Sequence, residues 1–80
     1  MSNTNTTERL AKLWSDVLGG AEATPEADFF DCGGTSMEAV YLAAAVQEDL
    51  GIAVDAVEVV VLRAFGRIAE LVEQRAGEPA

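Results

Sequence analysis

Apolar side chains recur every three or four residues along most of this 80-residue chain. In the segment ERLAKLWSDVL this spacing places five of them on one face of a helix, namely Leu10, Leu13, Trp14, Val17 and Leu18. Asn5 and Glu8 have the spacing of a capping box, and Gly19-Gly20 predicts the helix end because glycine readily adopts the left-handed conformation. The segment therefore predicts an amphipathic helix with one buried face.

A second helix is predicted from about Ser36 to Leu50. Thr35 and Glu38 match the capping-box pattern, which places Thr35 at the N-cap, and Gly51 is expected to end the helix. The apolar residues form two stripes, one of Ala39, Leu42, Ala43, Val46 and Leu50 and one of Met37, Val40, Tyr41 and Ala44. A small bundle needs one stripe for its core, so the second predicts either a wider core contact or an exposed patch for a partner.

The next segment, IAVDAVEVVVLRAF, is ambiguous because its valines favour a strand. No other segment offers a strand to pair with it, and Asp55 and Glu58 have capping-box spacing. A short helix from about Asp55 to Leu62 is therefore predicted. A last helix follows from about Phe65 to Arg75, and its predicted buried face consists of Phe65, Ile68, Ala69 and Val72.

The segment AEATPEADFFDCGG between the first two helices predicts a loop of about 15 residues, a length at which loops are usually functional or disordered. Phe29 and Phe30 argue for order, because at least one ring should enter the core. The predicted fold is all-α, a four-helix bundle with three main helices, one short third helix and a long first loop. Residues 6–76 form the predicted domain, residues 1–5 a disordered polar N-terminus, and residues 77–80 a frayed tail.

Charge and composition argue against several functions. The net charge of −9 disfavours nucleic acid and anionic lipid and favours basic protein surfaces. The chain has no histidine and one cysteine, Cys32, so it cannot form a Ser–His or Cys–His pair, an internal disulfide or a multi-cysteine zinc site. We also find no calcium-loop motif, no secretory signal and no run of about 18 apolar residues. No metal, nucleic-acid or membrane site is therefore predicted.

Ser36 is the candidate functional residue. A serine at a helix start usually caps the helix, but Thr35 already fills that role. Gly33 and Gly34 carry no side chains just before it, which leaves room for another protein's active site. The helix N-terminus favours a phosphate ester through its free N–H groups and its dipole. Ser36 is therefore predicted to accept a phosphorylated group rather than to act as a nucleophile with its own base.

The stretch DFFDCGGTSMEAVYLAAAVQEDLGI resembles the signature of phosphopantetheine-dependent carrier proteins, and is most similar to the peptidyl carrier proteins (thiolation domains) of nonribosomal peptide synthesis. That signature consists of two aromatic residues, a spacer, a large apolar residue, Gly-Gly, any residue, serine and an apolar residue. The corresponding positions are Phe29-Phe30, Asp31, Cys32, Gly33-Gly34, Thr35, Ser36 and Met37. The Gly-Gly pair favours the peptidyl branch over fatty-acid carriers, which more often show Asp-Ser-Leu.

The resemblance implies an acyl carrier protein-like fold and a non-catalytic function. A phosphopantetheinyl transferase would attach phosphopantetheine to Ser36, with Gly33, Gly34 and Thr35 beside the attachment site. The arm would hold an aminoacyl, peptidyl or acyl intermediate as a thioester. It would deliver this cargo to partner enzymes of natural-product biosynthesis: an adenylation enzyme, condensation or tailoring enzymes, and a thioesterase. The implied carrier is a cytoplasmic monomer, and its polar ends favour a free-standing protein.

The resemblance also implies a partner-binding surface formed by Met37, Val40, Tyr41, Val59 and Val60, although Val40 and Tyr41 could instead complete the core. Three positions depart from the family pattern. Cys32 replaces a larger residue and is expected to fill space, and Thr35 replaces the commoner histidine or aspartate. Arg63-Ala64 replaces Pro-Thr, which is expected to loosen the start of the last helix without touching the arm site.

Two other kinds of function compete with the carrier. The alternative is an unmodified acidic adaptor that binds partner proteins through its second helix. An enzyme is disfavoured, because the sequence offers no histidine and no paired nucleophile and base.

Overall fold

A computed structural model describes residues 2–77, which form four α-helices. The helices are α1 (Ser2–Val17), α2 (Ser36–Leu50), α3 (Ala56–Leu62) and α4 (Phe65–Gly77). Within this range there is no β-strand, only an isolated antiparallel bridge between Asp28 and Ala64. The predicted all-α bundle with a short third helix and a long first loop is confirmed.

The first and last helices extend beyond their predicted outer ends. Helix α1 begins at Ser2, so Asn5 lies within the helix and does not cap it. The physical reason is that residues 2–5 contain neither glycine nor proline, so nothing stops the helix from continuing toward the N-terminus. At the other end, α4 extends to Gly77. Met1 and the predicted tail residues 78–80 lie outside the described residues.

Aromatic rings form the centre of the core. Trp14 of α1 is fully buried, and it makes edge-to-face contacts with Phe29 at 5.7 Å and with Phe65 at 5.2 Å between ring centroids. Phe29 is itself fully buried, so the prediction that one loop ring enters the core is confirmed. Around the rings pack Leu10, Ala39, Leu42, Val46, Ile52, Val54, Val59, Ile68, Ala69 and Val72.

Backbone carbonyl groups of the first loop satisfy the start of α4. The N–H of Phe65 donates to the carbonyl oxygen of Ala27 at 2.8 Å, and the N–H of Gly66 donates to that of Pro25 at 3.0 Å. The first N–H groups of a helix have no partner within it, so these two contacts replace a side-chain cap. The expectation that Arg63-Ala64 loosens this junction is therefore wrong, because the loop itself holds the helix start.

Candidate functional site

The start of α2 is organised by a complete capping box. Thr35 has extended backbone angles (φ −124°, ψ 176°), and its hydroxyl accepts a 3.4 Å hydrogen bond from the N–H of Glu38. The Glu38 carboxylate in turn accepts from the Thr35 N–H at 2.9 Å and from the Thr35 hydroxyl at 2.6 Å. Both side chains are thus used to close the helix start, as the T-x-x-E pattern predicted.

Ser36 is the first residue of α2, and its side chain is exposed. Within the part of the chain that the structure describes, its hydroxyl makes no hydrogen bond. The usual structural task of a serine at a helix start, capping, is performed by Thr35. The Ser36 hydroxyl therefore projects from the helix start without a structural role, next to N–H groups that favour an anion.

The two glycines before Ser36 differ in their surroundings. Gly33 has a positive φ of 93°, and a Cβ built there would meet no atom within 4 Å. At Gly34 a Cβ would lie 2.4 Å from Cε2 of Phe29, so only a residue without a side chain fits. Open space is thus found at Gly33, three residues before the serine. At Gly34 the reason for glycine lies inside the protein, in the close packing of the Phe29 ring, and not in access for a partner.

The local charge has two opposing components. The N-terminus of α2 contributes the partial positive charge of a helix dipole, which favours a phosphate group. Glu38 is the single acidic residue in the first turn, and its carboxylate is directed to Thr35 by the two short hydrogen bonds. No described side chain covers the Ser36 hydroxyl, so the site has the access and the donor groups that a phosphate ester requires.

The predicted partner-binding residues fall into two groups. Met37, Val40 and Tyr41 are exposed by 59%, 51% and 57% and form one exposed face of α2 next to Ser36. The alternative that Val40 or Tyr41 completes the core does not hold. Val59, however, is only 1% exposed, and Val60 is half-buried against the core. Val59 faces inward because α3 places it among the other core residues, so it offers no surface to a partner.

The exposed valines of α3 are Val57 and Val61, at 68% and 70%, and the sequence prediction did not select them. They lie four residues apart and two residues on either side of Val59. Together with Leu62 and Leu71 they line an open groove between α3 and α4. The spacing of the valines was a usable signal, because residues two positions from a buried one point away from it on a helix.

Residues 2–77 contain neither a candidate metal site nor a candidate membrane span. There is no group of three or more carboxylate, cysteine or histidine side chains placed to hold a metal ion. None of the helices there has both the length and the apolar character needed to cross a bilayer.

Curated relatives match about half of the chain. It is 45% identical over 42 residues to N-(5-amino-5-carboxypentanoyl)-L-cysteinyl-D-valine synthase of Amycolatopsis lactamdurans, a match that covers 52% of this chain and 1% of that protein. It is 40% identical over 45 residues to surfactin synthase subunit 3 of Bacillus subtilis (strain 168), covering 56% of this chain and 4% of that protein. The chain thus corresponds to a very small part of these relatives.

The fold is similar to a solved structure of BlmI, a type-II acyl-carrier-protein from Streptomyces verticillus involved in bleomycin biosynthesis. The TM-score is 0.80 with 20% sequence identity, over 91% of this chain and 88% of that one. A sequence model described as the phosphopantetheine attachment site matches residues 8–74, which include all of α2 and α3. Since this match spans most of the sequence, the chain belongs to the phosphopantetheine attachment family of carrier proteins, which bear a covalent phosphopantetheine group.

Proposed function

We propose that Ser36 is the residue to which phosphopantetheine is attached, and that the chain carries aminoacyl, peptidyl or acyl groups between enzymes of natural-product biosynthesis. One observation supports this assignment above the others. The Ser36 hydroxyl is exposed at the start of α2, while its neighbour Thr35 performs the capping. A hydroxyl without a structural task, beside the free N–H groups of a helix start, is suited to a phosphate ester.

The residues of this chain prepare the site and leave the chemistry to another protein. In the attachment step one P–O bond forms to the Ser36 oxygen, and the P–O bond to the nucleotide part of coenzyme A breaks. The serine proton leaves to a base of the transferase, because the chain contains no histidine and no described carboxylate bonds to the Ser36 hydroxyl. Thr35 and Glu38 keep the helix start formed, and Gly33 leaves the approach to the oxygen open.

Once attached, the group supplies a terminal thiol that holds the cargo as a thioester. The protein then presents one tethered copy of the cargo to each enzyme in turn, which raises the effective concentration to about the mM range when the reach of the arm fits the span. The partner enzymes we propose are a phosphopantetheinyl transferase, an adenylation enzyme, condensation or tailoring enzymes and a thioesterase. We place this work in the cytoplasm, a reducing compartment that suits the unpaired thiol of Cys32.

The surface around Ser36 supports docking of such enzymes. Met37, Val40 and Tyr41 form a compact exposed apolar face directly after the serine. The net charge of −9 attracts enzymes with basic surfaces and raises their rate of encounter more than their affinity. We expect the apolar face to supply contact area and the surrounding acids to supply steering.

The same apolar face would also serve an unmodified adaptor, which is the second candidate function. The adaptor and the carrier are distinguished by the mass of the protein after incubation with coenzyme A, Mg²⁺ and a promiscuous phosphopantetheinyl transferase. If the protein is a carrier, we expect one added phosphopantetheine group on the wild type and none on Ser36→Ala. A matched control is Ser15→Ala, a half-buried serine of α1, which should gain the group normally. A folded wild type that gains no mass would support the adaptor.

A further inference from the structure

The junction between α3 and α4 contains the only non-glycine residue with a positive φ among residues 2–77. Arg63 has φ 64° and ψ −51°, and the N–H of Ala64 donates to the carbonyl oxygen of Leu62 at 2.6 Å. This is a γ-turn of the rare form in which the central residue has a positive φ, a strained conformation. Such strain persists only where surrounding contacts hold it, and it is concentrated at functional sites.

Three contacts hold Arg63 to the loop that precedes Ser36. Its Nε donates to Oδ1 of Asp28 at 2.9 Å and its Nη2 to Oδ2 at 3.2 Å, so the ion pair is bidentate. Its guanidinium lies over the ring of Phe30, 5.1 Å from the centroid. Its carbonyl oxygen accepts a 2.8 Å hydrogen bond from the N–H of Phe29. Arg63 thus contacts three consecutive loop residues, residues 28–30, through its side chain and its backbone.

Asp28, the partner of Arg63, also accepts hydrogen bonds from the loop residues that lead to the serine. Its Oδ2 accepts from the N–H groups of Phe30 at 3.0 Å and Asp31 at 2.9 Å. Its carbonyl oxygen accepts from the N–H of Cys32 at 2.9 Å. The Asp28 side chain is 21% exposed, whereas that of Arg63 is 53% exposed. The carboxylate is therefore the inner part of the contact, and the arginine closes over it.

Phe29 connects the same turn to the start of α2. Its carbonyl oxygen accepts a 2.9 Å hydrogen bond from the N–H of Gly34, and its ring lies against the Gly34 backbone. Gly34 is followed directly by Thr35, the N-cap, and then by Ser36. An unbroken path of short contacts therefore leads from Arg63 through residues 28–34 to the proposed attachment site.

We propose that Arg63 is a positioning residue for Ser36: its clamp on Asp28 and Phe30 holds residues 28–34 in the conformation that presents the serine to the enzyme that modifies it. This inference rests on the proposed function. Arg63 would then contribute to recognition by the transferase, although it lies 27 positions after Ser36 in the sequence and belongs to the junction between α3 and α4.

The clamp acts on local order more than on overall stability. An ion pair whose arginine is half exposed contributes little to the free energy of unfolding, because water and salt screen it. Opening the clamp would instead lower the fraction of molecules whose loop is in the competent conformation. The apparent affinity for the transferase falls by that fraction. The expected signature is therefore a higher KM for the carrier with an unchanged kcat.

The test uses Arg63→Gln, which keeps a Cβ and an uncharged polar side chain, although a shorter one, and loses the charge and the donor fork. Arg75→Gln is the matched control, because Arg75 forms a similar ion pair with Glu58 at 2.6 Å that joins α3 to α4. Transferase kinetics would be measured over a range of carrier concentrations. Hydrogen exchange of the Cys32 and Gly34 amides would report the order of the loop directly.

For Arg63→Gln we expect KM to rise about three- to tenfold with kcat within about twofold of the wild type. The Cys32 and Gly34 amides should exchange several-fold faster. Arg63→Lys keeps the charge but lacks the donor fork. Its KM should therefore lie between that of the wild type and that of Arg63→Gln. Arg75→Gln should leave both KM and the two exchange rates unchanged.

Arg63→Gly provides a second variant, because glycine adopts the positive φ at low cost and the protein keeps its fold. It should show the same rise in KM. An unchanged KM or unchanged exchange in both Arg63 variants would overturn the clamp, as would an equal rise in KM for Arg75→Gln. A wild type that accepts no phosphopantetheine would instead overturn the proposed function, and the exchange rates would then decide whether Arg63 orders the loop.

Discussion

Gly34→Ala tests the close packing between the loop and the start of α2. A Cβ at this position would lie 2.4 Å from Cε2, 2.5 Å from Cδ2 and 2.7 Å from the carbonyl oxygen of Phe29. Comfortable contacts between carbon atoms are about 3.5–4.0 Å, so the ring and the glycine backbone would have to separate by roughly 1 Å.

Phe29 cannot supply that movement easily. It is fully buried, and its ring contacts Trp14 at 5.7 Å and Phe30 at 5.6 Å between centroids. Forcing an extra methyl into such a core costs about 1–3 kcal/mol, and the contact with a main-chain oxygen places this case near the upper value. A loss of about 3 kcal/mol corresponds to a decrease in Tm of roughly 12–24 °C for a chain of this size.

The assay is denaturant unfolding followed by the fluorescence of Trp14, the only tryptophan of the chain. Gly77→Ala is the control, because a Cβ there meets nothing within 4 Å and its φ is not positive. It should change the free energy of unfolding by less than about 0.5 kcal/mol. Gly33→Ala also has open space but a φ of 93°, so it should cost about 1–2 kcal/mol through its backbone alone.

A double variant identifies the clash as the cause. Phe29→Leu removes the ring atoms that the new methyl would strike, so Gly34→Ala should cost less in that background than in the wild type. The reasoning is refuted if Gly34→Ala unfolds at the same denaturant concentration as Gly77→Ala. It is also refuted if the cost of Gly34→Ala is the same with phenylalanine and with leucine at position 29.

Three further predictions concern the loop, the cap and the acid stability. Phe29→Ala should lower the free energy of unfolding by about 3–5 kcal/mol in urea unfolding, and Phe30→Ala by less because that ring is only half-buried. Thr35→Ala should cost about 1 kcal/mol by the same measurement, since it removes the capping hydroxyl. Hydrogen bonds from Arg75 and from a backbone N–H lower the pKa of Glu58 to about 2 from an ordinary 4.5. A lowered pKa in the folded state stabilises the fold above the unfolded value, so stability should decrease as the pH falls from about 4.5 to 2. In Glu58→Gln this part of the decrease should disappear from acid titrations followed by fluorescence.

The part of the fold that follows local signals could be predicted from the sequence. The bounds of α2 match the prediction at both ends, because a capping box and a glycine in the left-handed conformation (Gly51, φ 71°) define them within a few residues. The start of α3 after Asp55 was predicted by the same kind of signal. The exposure of Ser36 could also be predicted, because the adjacent Thr35 already serves as the N-cap.

What could not be predicted depends on contacts between distant residues. Phe29 and Phe30 are equivalent in sequence, and only the packing of Trp14 shows which ring lies at the centre of the core. The inward direction of Val59 depends on how α3 packs against its neighbours. The ion pair between Arg63 and Asp28 joins residues 35 positions apart, and no local sequence pattern predicts it.

The start of α4 depends on carbonyl groups that lie about 40 residues earlier in the chain, at Pro25 and Ala27. A peptide containing only α3 and α4 would lack those acceptors, and we expect its second helix to begin late or not at all. Because of these two hydrogen bonds, we expect the connection before α2 and the last helix to gain order together during folding and to lose it together on heating. Insertions between Pro25 and Ala27 should for this reason disturb the C-terminal helix more than they disturb α1, which ends before them.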